Sequence, residues 1–130
     1  MEIGTKGFQE LTVTEDLLAC TVGSGLVAVY ATPMMIAGIE NTAASSVAAQ
    51  LPEGKTTVGT QMNVSHVAAT PAGMGVRFET ELVEVSANGK MLTFRVAAYD
   101  ACGLIGEGTH TRAVVDKERF EAKAQAKLQG

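Results

Sequence analysis

The chain has 130 residues, of which 46% are hydrophobic, and its net charge is −4 at neutral pH. This length predicts one domain over residues 1–130, and the hydrophobic fraction is large enough to form a core. No run of Lys and Arg supplies the positive surface that nucleic acid or an anionic membrane requires, so we expect neither as a partner and expect small molecules or proteins instead.

Signals for disulfides, membranes and secretion are missing as well. Cys20 and Cys102 match no zinc or redox spacing, which indicates two free thiols in a reducing cytoplasm. No apolar run reaches the roughly 18 residues of a membrane span. The first ten residues, MEIGTKGFQE, lack the apolar core of a signal peptide. We therefore predict a cytoplasmic protein.

The first half of the chain predicts one strand, over residues 8–14, and then one long helix. Thr32-Pro33 indicates the start of the helix, because a Thr hydroxyl can cap free backbone N–H groups and Pro is favoured at the first helical position. Pro52 and Gly54 end it. Its small residues allow close packing against a sheet. Apolar residues recur at helical spacing, namely Ile36, Ile39, Ala43 and Val47.

Four further strands are predicted after the helix. They cover residues 56–69, 74–86, 91–100 and 104–115, which are rich in Val, Thr, Phe and Met. Turn signals such as Asn88-Gly89 separate the last three, so these three should form an antiparallel meander. Asp116 should cap a short helix, one face of which would carry Phe120, Ala124 and Leu128.

This order of elements favours an α+β fold in which an antiparallel sheet curls around one long central helix. That architecture is the hotdog fold, which commonly forms dimers through a sheet edge. Another α+β sandwich of similar size is the alternative.

Glu40 is the only charged residue between Pro33 and Leu51, and no Lys or Arg lies within one helical turn of it. A buried carboxylate without a partner has a raised pKa or dedicated hydrogen bonds, and both are typical of catalytic groups. The alternative is an ordinary solvated Glu.

Three stretches carry a family resemblance. The first runs from Ala31-Thr32-Pro33 to Gly38-Ile39-Glu40, the second contains the motif H-x-A-A-T-P-x-G from His66, and the third contains G-x-G-T-H-x-R-A from Gly106. In one register over nearly the whole chain, they resemble the fluoroacetyl-CoA-thioesterase-like family of hotdog proteins. The second and third motifs are fairly specific, whereas the spacing from Thr to Glu is weak by itself.

The resemblance implies a homodimeric thioesterase that hydrolyses a short-chain acyl-CoA to the carboxylic acid and free CoA. It implies a catalytic centre of Thr32, Glu40 and His66, and substrate contacts from Gly59 and Arg112. It assigns no catalytic role to His110, which we interpret as structural and keep as a reserve candidate. We expect no metal and no cofactor, because CoA enters only as part of the substrate and no Walker, Rossmann or metal-ligand spacing is present.

Thioester hydrolysis needs a nucleophile or an activated water, a proton shuttle and donors for the oxyanion. We expect Glu40 to attack the thioester or to activate water, His66 to protonate the departing sulfur, and Thr32 to orient the pair. Eight helical residues rise roughly 12 Å, so Thr32 and Glu40 cannot touch on a straight helix. A bend at Thr32-Pro33, a substrate lying between them, or a group from a partner subunit would resolve this separation.

Each candidate also has a structural interpretation. Thr32 could only cap the helix, His66 could be a structural histidine, and Gly59 could serve strand packing. Arg112 could be a surface residue or a salt-bridge residue.

Substrate choice and reaction class keep alternatives too. The fluoroacetyl-specific member of the family has phenylalanines in a lid segment, and the matching positions here are Gly23 and Leu26. The same aromatic gate cannot form, so the acyl group stays undefined. A non-catalytic hotdog module that binds acyl-CoA as a sensor or partner subunit is the main alternative function. A hydratase-type hotdog enzyme has less support, because no Asp lies five to ten residues before His66.

Overall fold

The structure, a computed structural model, describes all residues from 1 to 130. The strands are β1 (Lys6–Thr12), β2 (Lys55–His66), β3 (Gly75–Val85), β4 (Met91–Asp100) and β5 (Gly103–Asp116). The α-helices are α1 (Ala19–Val22), α2 (Thr32–Val47) and α3 (Lys117–Gln125), and short 3₁₀ helices cover Glu15–Leu17, Ala48–Gln50 and Ala126–Gln129. None of the helices combines the length and the apolar character that crossing a membrane requires.

The five strands form one antiparallel sheet in the order β1-β3-β4-β5-β2. The strands β3, β4 and β5 are neighbours in both sequence and space, which confirms the predicted meander. The chain leaves β1 at one edge, passes through α2 across one face of the sheet, and enters β2 at the opposite edge. The predicted order of strand, long helix and strands is therefore correct.

The core lies between α2 and the sheet. Met35, Ile39, Ala43 and Val47 are fully buried, and their spacing of four residues places them on one face of the helix. Ile36, which was predicted on this face, is only partly buried against the core. The facing side chains from the sheet include Val76, Phe78, Leu82, Leu92, Phe94 and Val96.

A glycine on α2 allows the close packing that the small residues predicted. A Cβ atom at Gly38 would lie 2.3 Å from the Phe78 ring, so any side chain there would push the helix away from the sheet.

Several predicted boundaries differ from the observed ones. The strand predicted over residues 56–69 ends at His66, and one further hydrogen bond to β5 follows it, from the N–H of Val67 to the carbonyl oxygen of Ile105. Asp116 caps α3 as predicted, and its Oδ1 accepts the N–H of Arg119 at 2.9 Å. Phe120 and Ala124 share a face of α3, whereas Leu128 lies in the 3₁₀ helix that follows it. Phe120 is 46% exposed and Leu128 is 83% exposed.

A β-bulge divides β2. Gly59 pairs with Arg112 and Gln61 pairs with Thr111, which leaves Thr60 as an extra residue without a partner in the ladder. Side chains alternate along a strand, so the extra residue shifts the alternation by one position. The residues of β2 on the α2 side are Thr57 and Gly59 before the bulge, and Met62, Val64 and His66 after it.

Candidate active site

Thr32 and His66 are joined by a hydrogen bond. The first residue of α2 and the last residue of β2 meet here, with 2.8 Å between Thr32 Oγ1 and His66 Nδ1. The residue that precedes the helix, Ala31, makes no side-chain cap, and the Thr32 hydroxyl binds the imidazole. The interpretation of Thr32 as only a helix cap is therefore wrong.

The second ring nitrogen of His66 has no partner. Nε2 is buried and no protein atom bonds to it. Burial lowers the pKa of His66, while the neighbouring Ala68 backbone acts in the opposite direction, so the ring stays neutral near pH 7. A buried polar atom without a partner costs free energy unless something binds it, and here a ligand can do so.

A cavity of about 290 Å³ adjoins this pair. Its wall combines the two polar groups of Thr32 and His66 with small apolar side chains, a composition typical of a small-molecule site. The small apolar side chains are Ala19, Val29, Val67, Ala68 and Ala69, and Ser24 and Tyr30 complete the lining. One border is the loop over residues 23–29, in which Leu26 is 96% exposed and packs on nothing.

A buried hydrogen-bond network holds the loop that follows His66. Thr70 is fully buried, and its hydroxyl donates to Asp100 Oδ2 at 2.8 Å. Asp100 Oδ1 also accepts the N–H of Cys102 at 2.8 Å, and the Thr70 carbonyl accepts the N–H of Tyr30. The hydrogen bond from Thr70 is the main cause that lowers the pKa of Asp100. This network ties the segments that carry Thr32 and His66 to the end of β4.

Glu40 lies further along α2 and is not isolated. Its side chain is 41% exposed, and Oε2 lies 3.6 Å from Nη1 of Arg112 on β5. No Lys or Arg lies within one helical turn of Glu40, but a cation from another part of the chain, Arg112, contacts it in the folded structure. A Cβ atom at Gly59 would lie 2.4 Å from Glu40 Oε2, so the glycine leaves the space that the carboxylate occupies.

Arg112 is a buried, fully oriented cation. It is 7% exposed, which excludes the surface interpretation, whereas its ion pair with Glu40 agrees with the salt-bridge interpretation. Its Nε donates to Thr57 Oγ1 at 2.8 Å and its Nη2 donates to the Thr57 carbonyl at 2.9 Å. Burial lowers the pKa of Arg112, and the carboxylate of Glu40 opposes this change. The guanidinium therefore has fixed geometry beside Glu40.

His110 makes a further hydrogen bond with the Arg112 guanidinium. Its Nδ1 lies 2.8 Å from the carbonyl oxygen of Gln61, which can only accept, so Nδ1 carries the proton. Its Nε2 then accepts from Arg112 Nη1 at 3.1 Å. Burial is the largest cause that lowers the pKa of His110, and Arg112 adds to it, so the ring is neutral. This arrangement agrees with the structural interpretation of His110.

One chain does not bring all three predicted catalytic residues together. Because α2 is continuous from Thr32 to Val47, a bend at Thr32-Pro33 is excluded, and Glu40 lies roughly 12 Å further along the helix. Gly59, beside Glu40, is separated from His66 by roughly 20 Å of β2. The structure thus contains two polar groups, Thr32 with His66 and Glu40 with Arg112.

Sequence reasoning missed two partners of these groups. Nothing in the pattern distinguished Thr57 from the other Thr residues of β2, whereas His110 and Arg112 are two residues apart on a strand and so share a face, a signal that was available. No group of three or more His, Cys, Asp or Glu residues is arranged to hold a metal ion.

Comparison with known proteins identifies a family model and a relative that match this chain. The family model of the fluoroacetyl-CoA-specific thioesterase FlK matches residues 13–118. The fluoroacetyl-CoA thioesterase of Streptantibioticus cattleyicolor is 40% identical over 99 residues, which are 76% of this chain and 70% of that protein.

Solved structures agree with this similarity. The fluoroacetyl-CoA thioesterase FlK has a TM-score of 0.92 at 32% identity, with 98% of this chain and 97% of that chain covered. A Thermus thermophilus protein described as a thioesterase superfamily member has a TM-score of 0.88 at 27% identity, with 98% and 93% covered. A hot-dog-like protein from Thermanaerovibrio acidaminovorans, at 22% identity and a TM-score of 0.88, has the same fold. The predicted hotdog fold is confirmed.

Proposed function

Because the chain belongs to the fluoroacetyl-CoA-specific thioesterase family, we propose that it hydrolyses a short-chain acyl-CoA to the carboxylic acid and free CoA. The observation that carries this proposal is the Thr32–His66 pair, whose buried Nε2 has no partner beside an apolar cavity. The cavity can take an acyl group, and the free nitrogen can handle a proton at the reacting thioester.

The residues divide the reaction between them. Glu40 either attacks the carbonyl carbon to form an anhydride that water then cleaves, or removes a proton from a water that attacks directly. In both routes the carbon gains an oxygen and loses the CoA sulfur. The proton that the attacking water gives up reaches the departing thiolate through the imidazole of His66, which is neutral again at the end of the cycle. Thr32 fixes the imidazole through Nδ1, and Arg112 orients the Glu40 carboxylate through their ion pair.

This chemistry requires Glu40 and His66 in one site, and we propose that a second copy of the chain supplies one of them. The edge strand β2 supports this, because it is 12 residues long and its outer backbone groups lack a partner. Between Thr56 and His66 it contains no Asp, Glu, Lys or Arg, whereas the other edge strand, β1, contains Lys6 and Glu10. Exposed edges normally carry charges that prevent pairing, so the uncharged edge is the one suited to dimerisation.

Antiparallel pairing of β2 with its copy has a direct consequence for the site. The two strands run in opposite directions, so the His66 end of one approaches the Gly59 segment of the other. Glu40 lies at that segment, beside Gly59. A homodimer would therefore contain two equivalent sites, each with Thr32 and His66 from one subunit and Glu40 from the other.

The acyl group is defined less sharply than the reaction. The loop over residues 23–29 carries Leu26 and Val27, which are 96% and 63% exposed, and no aromatic residue. Such a border cannot form an aromatic gate, so we propose a range of short acyl groups with no preference for a fluorinated one. The reaction needs no cofactor. Cys20 and Cys102 are both free and exposed, which suits the cytoplasmic location that we propose.

A thiol-release assay over a panel of short acyl-CoAs tests the function. The variants are Glu40→Ala and His66→Ala, and the exposed Glu84→Ala serves as the control. We expect each site variant to lower kcat by roughly 10²-fold or more, because positioned acid–base groups contribute about that much. Unchanged rates in both variants would refute the site. Binding of acyl-CoA without any turnover would favour the sensor.

A further inference from the structure

A second cavity, of about 250 Å³, lies where β2 begins and β5 ends. Four basic residues line it, and we call it the basic cavity: Lys55, Lys90, Arg119 and Lys123, together with Val114, Val115, Asp116 and Phe120. These residues come from β2, β5, α3 and the turn between β3 and β4. The catalytic groups described above do not contribute to it.

The basic cavity concentrates the free positive charge of an acidic chain. The protein has ten Lys and Arg residues and a net charge of −4. Four of these cations form ion pairs with carboxylates, namely Arg77, Arg95, Arg112 and Lys117. Four of the remaining six line the basic cavity. A random distribution over the surface would not place most of the unpaired cations around one cavity, so this site favours an anion.

The only carboxylate in the basic cavity already has another role. Asp116 accepts the Arg119 N–H as the cap of α3, and this hydrogen bond is the main cause that lowers its pKa. The charges of Lys55 and Arg119 lower the pKa further. One carboxylate cannot neutralise four cations, so the cavity keeps a positive field.

An exposed aromatic ring accompanies these charges. Phe120 is 46% exposed and lines the cavity with Val114 and Val115. A planar apolar surface beside Lys and Arg is the combination that binds a phosphorylated base, through stacking and charge together.

The position of the basic cavity matches the shape of the substrate. Asp116, which lines the basic cavity, lies four residues beyond Arg112 on β5, a distance of roughly 13 Å. Arg112 is the residue that pairs with the Glu40 carboxylate. In acyl-CoA, the long pantetheine arm separates the thioester from the phosphates and the adenine. We propose that the basic cavity binds the phosphorylated adenosine end of the acyl-CoA substrate. This inference rests on the proposed thioesterase function.

The test compares two thioesters and two matched double variants. Acetyl-CoA carries the phosphates, and acetyl-pantetheine has the same reacting group without them. The variant Arg119→Gln/Lys123→Gln removes two positive charges from the basic cavity. The control Arg77→Gln/Lys6→Gln also removes one Arg and one Lys charge, but on β3 and β1, away from this cavity. In the first variant we expect KM for acetyl-CoA to rise roughly tenfold with kcat unchanged, and KM for acetyl-pantetheine to stay constant.

Salt dependence and direct binding complete the test. KM of the wild-type protein for acetyl-CoA should rise with ionic strength, and this dependence should weaken in Arg119→Gln/Lys123→Gln. Calorimetry with adenosine 3′,5′-bisphosphate should give binding to the wild-type protein and to the control but not to that variant. This readout holds even if no thioester is hydrolysed, so failure of the site and failure of the reaction can be told apart.

Three results would overturn the proposal. One is an equal KM of the wild-type protein for the two thioesters. Another is an equal rise of KM in the control variant. The third is binding of adenosine 3′,5′-bisphosphate that does not compete with acetyl-CoA, since this would assign the basic cavity to a free nucleotide.

Discussion

At the scale of single residues, the Glu40 carboxylate lies so close to Gly59 that no side chain fits at position 59. A methyl group at Gly59 would lie 2.4 Å from Glu40 Oε2, so Gly59→Ala must displace the carboxylate from Arg112. We expect kcat to fall roughly 10²-fold, because a displacement of about 1 Å at a reacting group has that effect. A steady-state assay with the best acyl-CoA measures this loss.

The matched control is Gly75→Ala, another strand glycine. There a Cβ atom would be 3.9 Å from the nearest atom, the Leu11 carbonyl oxygen, so both activity and stability should stay close to those of the wild-type protein. If Gly59→Ala retained full activity, the position of the Glu40 carboxylate beside Arg112 would have no role in catalysis.

The two histidines predict how stability depends on pH. Burial is the main cause that lowers the pKa of both His66 and His110 below the ordinary 6.5. The unfolded chain therefore binds more protons as the pH falls through 6.5, and the free energy of unfolding decreases until the pH is below the folded-state pKa values. The pKa values of the Asp100 and Asp116 carboxylates are lowered from the ordinary 3.8, so these two groups change the free energy of unfolding only as the pH falls below that value.

Urea unfolding at fixed protein concentration, between pH 8 and pH 5, measures this dependence. In His110→Gln the slope of unfolding free energy against pH should be smaller than in the wild-type protein, whatever the change in absolute stability. An unchanged slope would mean that His110 titrates alike in the folded and unfolded chains.

Glu40 stood out by its isolation in the sequence, and the family resemblance supplied Thr32, His66, Gly59 and Arg112 as candidates. The structure joins Thr32 with His66 and Glu40 with Arg112, and it places Gly59 beside Glu40. The contacts that orient them were not predictable from spacing. Arg112 meets Glu40 and Thr57 only after β5 pairs with β2, and no local pattern encodes which of several Thr residues a guanidinium will reach.

At the scale of elements, Asp100 connects the end of β4 to the loop that follows His66. In Asp100→Ala, the Thr70 hydroxyl and the Cys102 N–H lose their acceptor in a buried place. We expect this variant to lose about 1–3 kcal/mol of unfolding free energy, the usual cost of buried groups left without partners. Asp100→Asn keeps one acceptor oxygen and should lose less.

Urea titration gives the stabilities, and kcat reports the effect on the site. Because the Thr70 carbonyl also holds Tyr30, we expect kcat to fall in Asp100→Ala. The exposed Glu84→Ala is the control and should change neither quantity. Wild-type stability in Asp100→Ala would contradict the role of this network.

Elements with strong local signals were predicted best. Met91–Asp100 has the predicted limits, and α2 begins at the predicted residue, because periodicity and turn residues act locally. The α3 helix was predicted from its cap, but the position of Phe120 beside Val114 and Val115 of β5 was not, since what lies next to a terminal helix is decided by tertiary structure alone.

At the scale of the whole molecule, a shared site predicts complementation. Glu40→Ala and His66→Ala should each be nearly inactive alone. After mixing and subunit exchange, half of the dimers contain one copy of each variant, and one of their two sites is complete. We expect about a quarter of wild-type activity to return, measured by thiol release. Failure of a verified mixed dimer to gain activity would place Glu40 and His66 in separate functions.

The separation that motivates this experiment follows from the sequence alone, because the rise of a helix keeps Thr32 and Glu40 apart. Family membership was predicted from three motifs and is confirmed. The sequence could not indicate which edge remains unpaired, since strand order depends on how the chain crosses the sheet. It follows that the absence of charged residues between Thr56 and His66 became meaningful only once β2 was known to be an edge.

The bulge at Thr60 has a consequence for how such a chain can diverge. It sets Gly59 and His66 on the same side of β2, although one has an odd and the other an even number. A relative that gained or lost one residue between them would turn one of the two toward solvent. Length changes in the loop over residues 23–29 would alter only the border of the cavity. We therefore expect new substrate ranges to arise through insertions and deletions in that loop, and the length of β2 to stay constant.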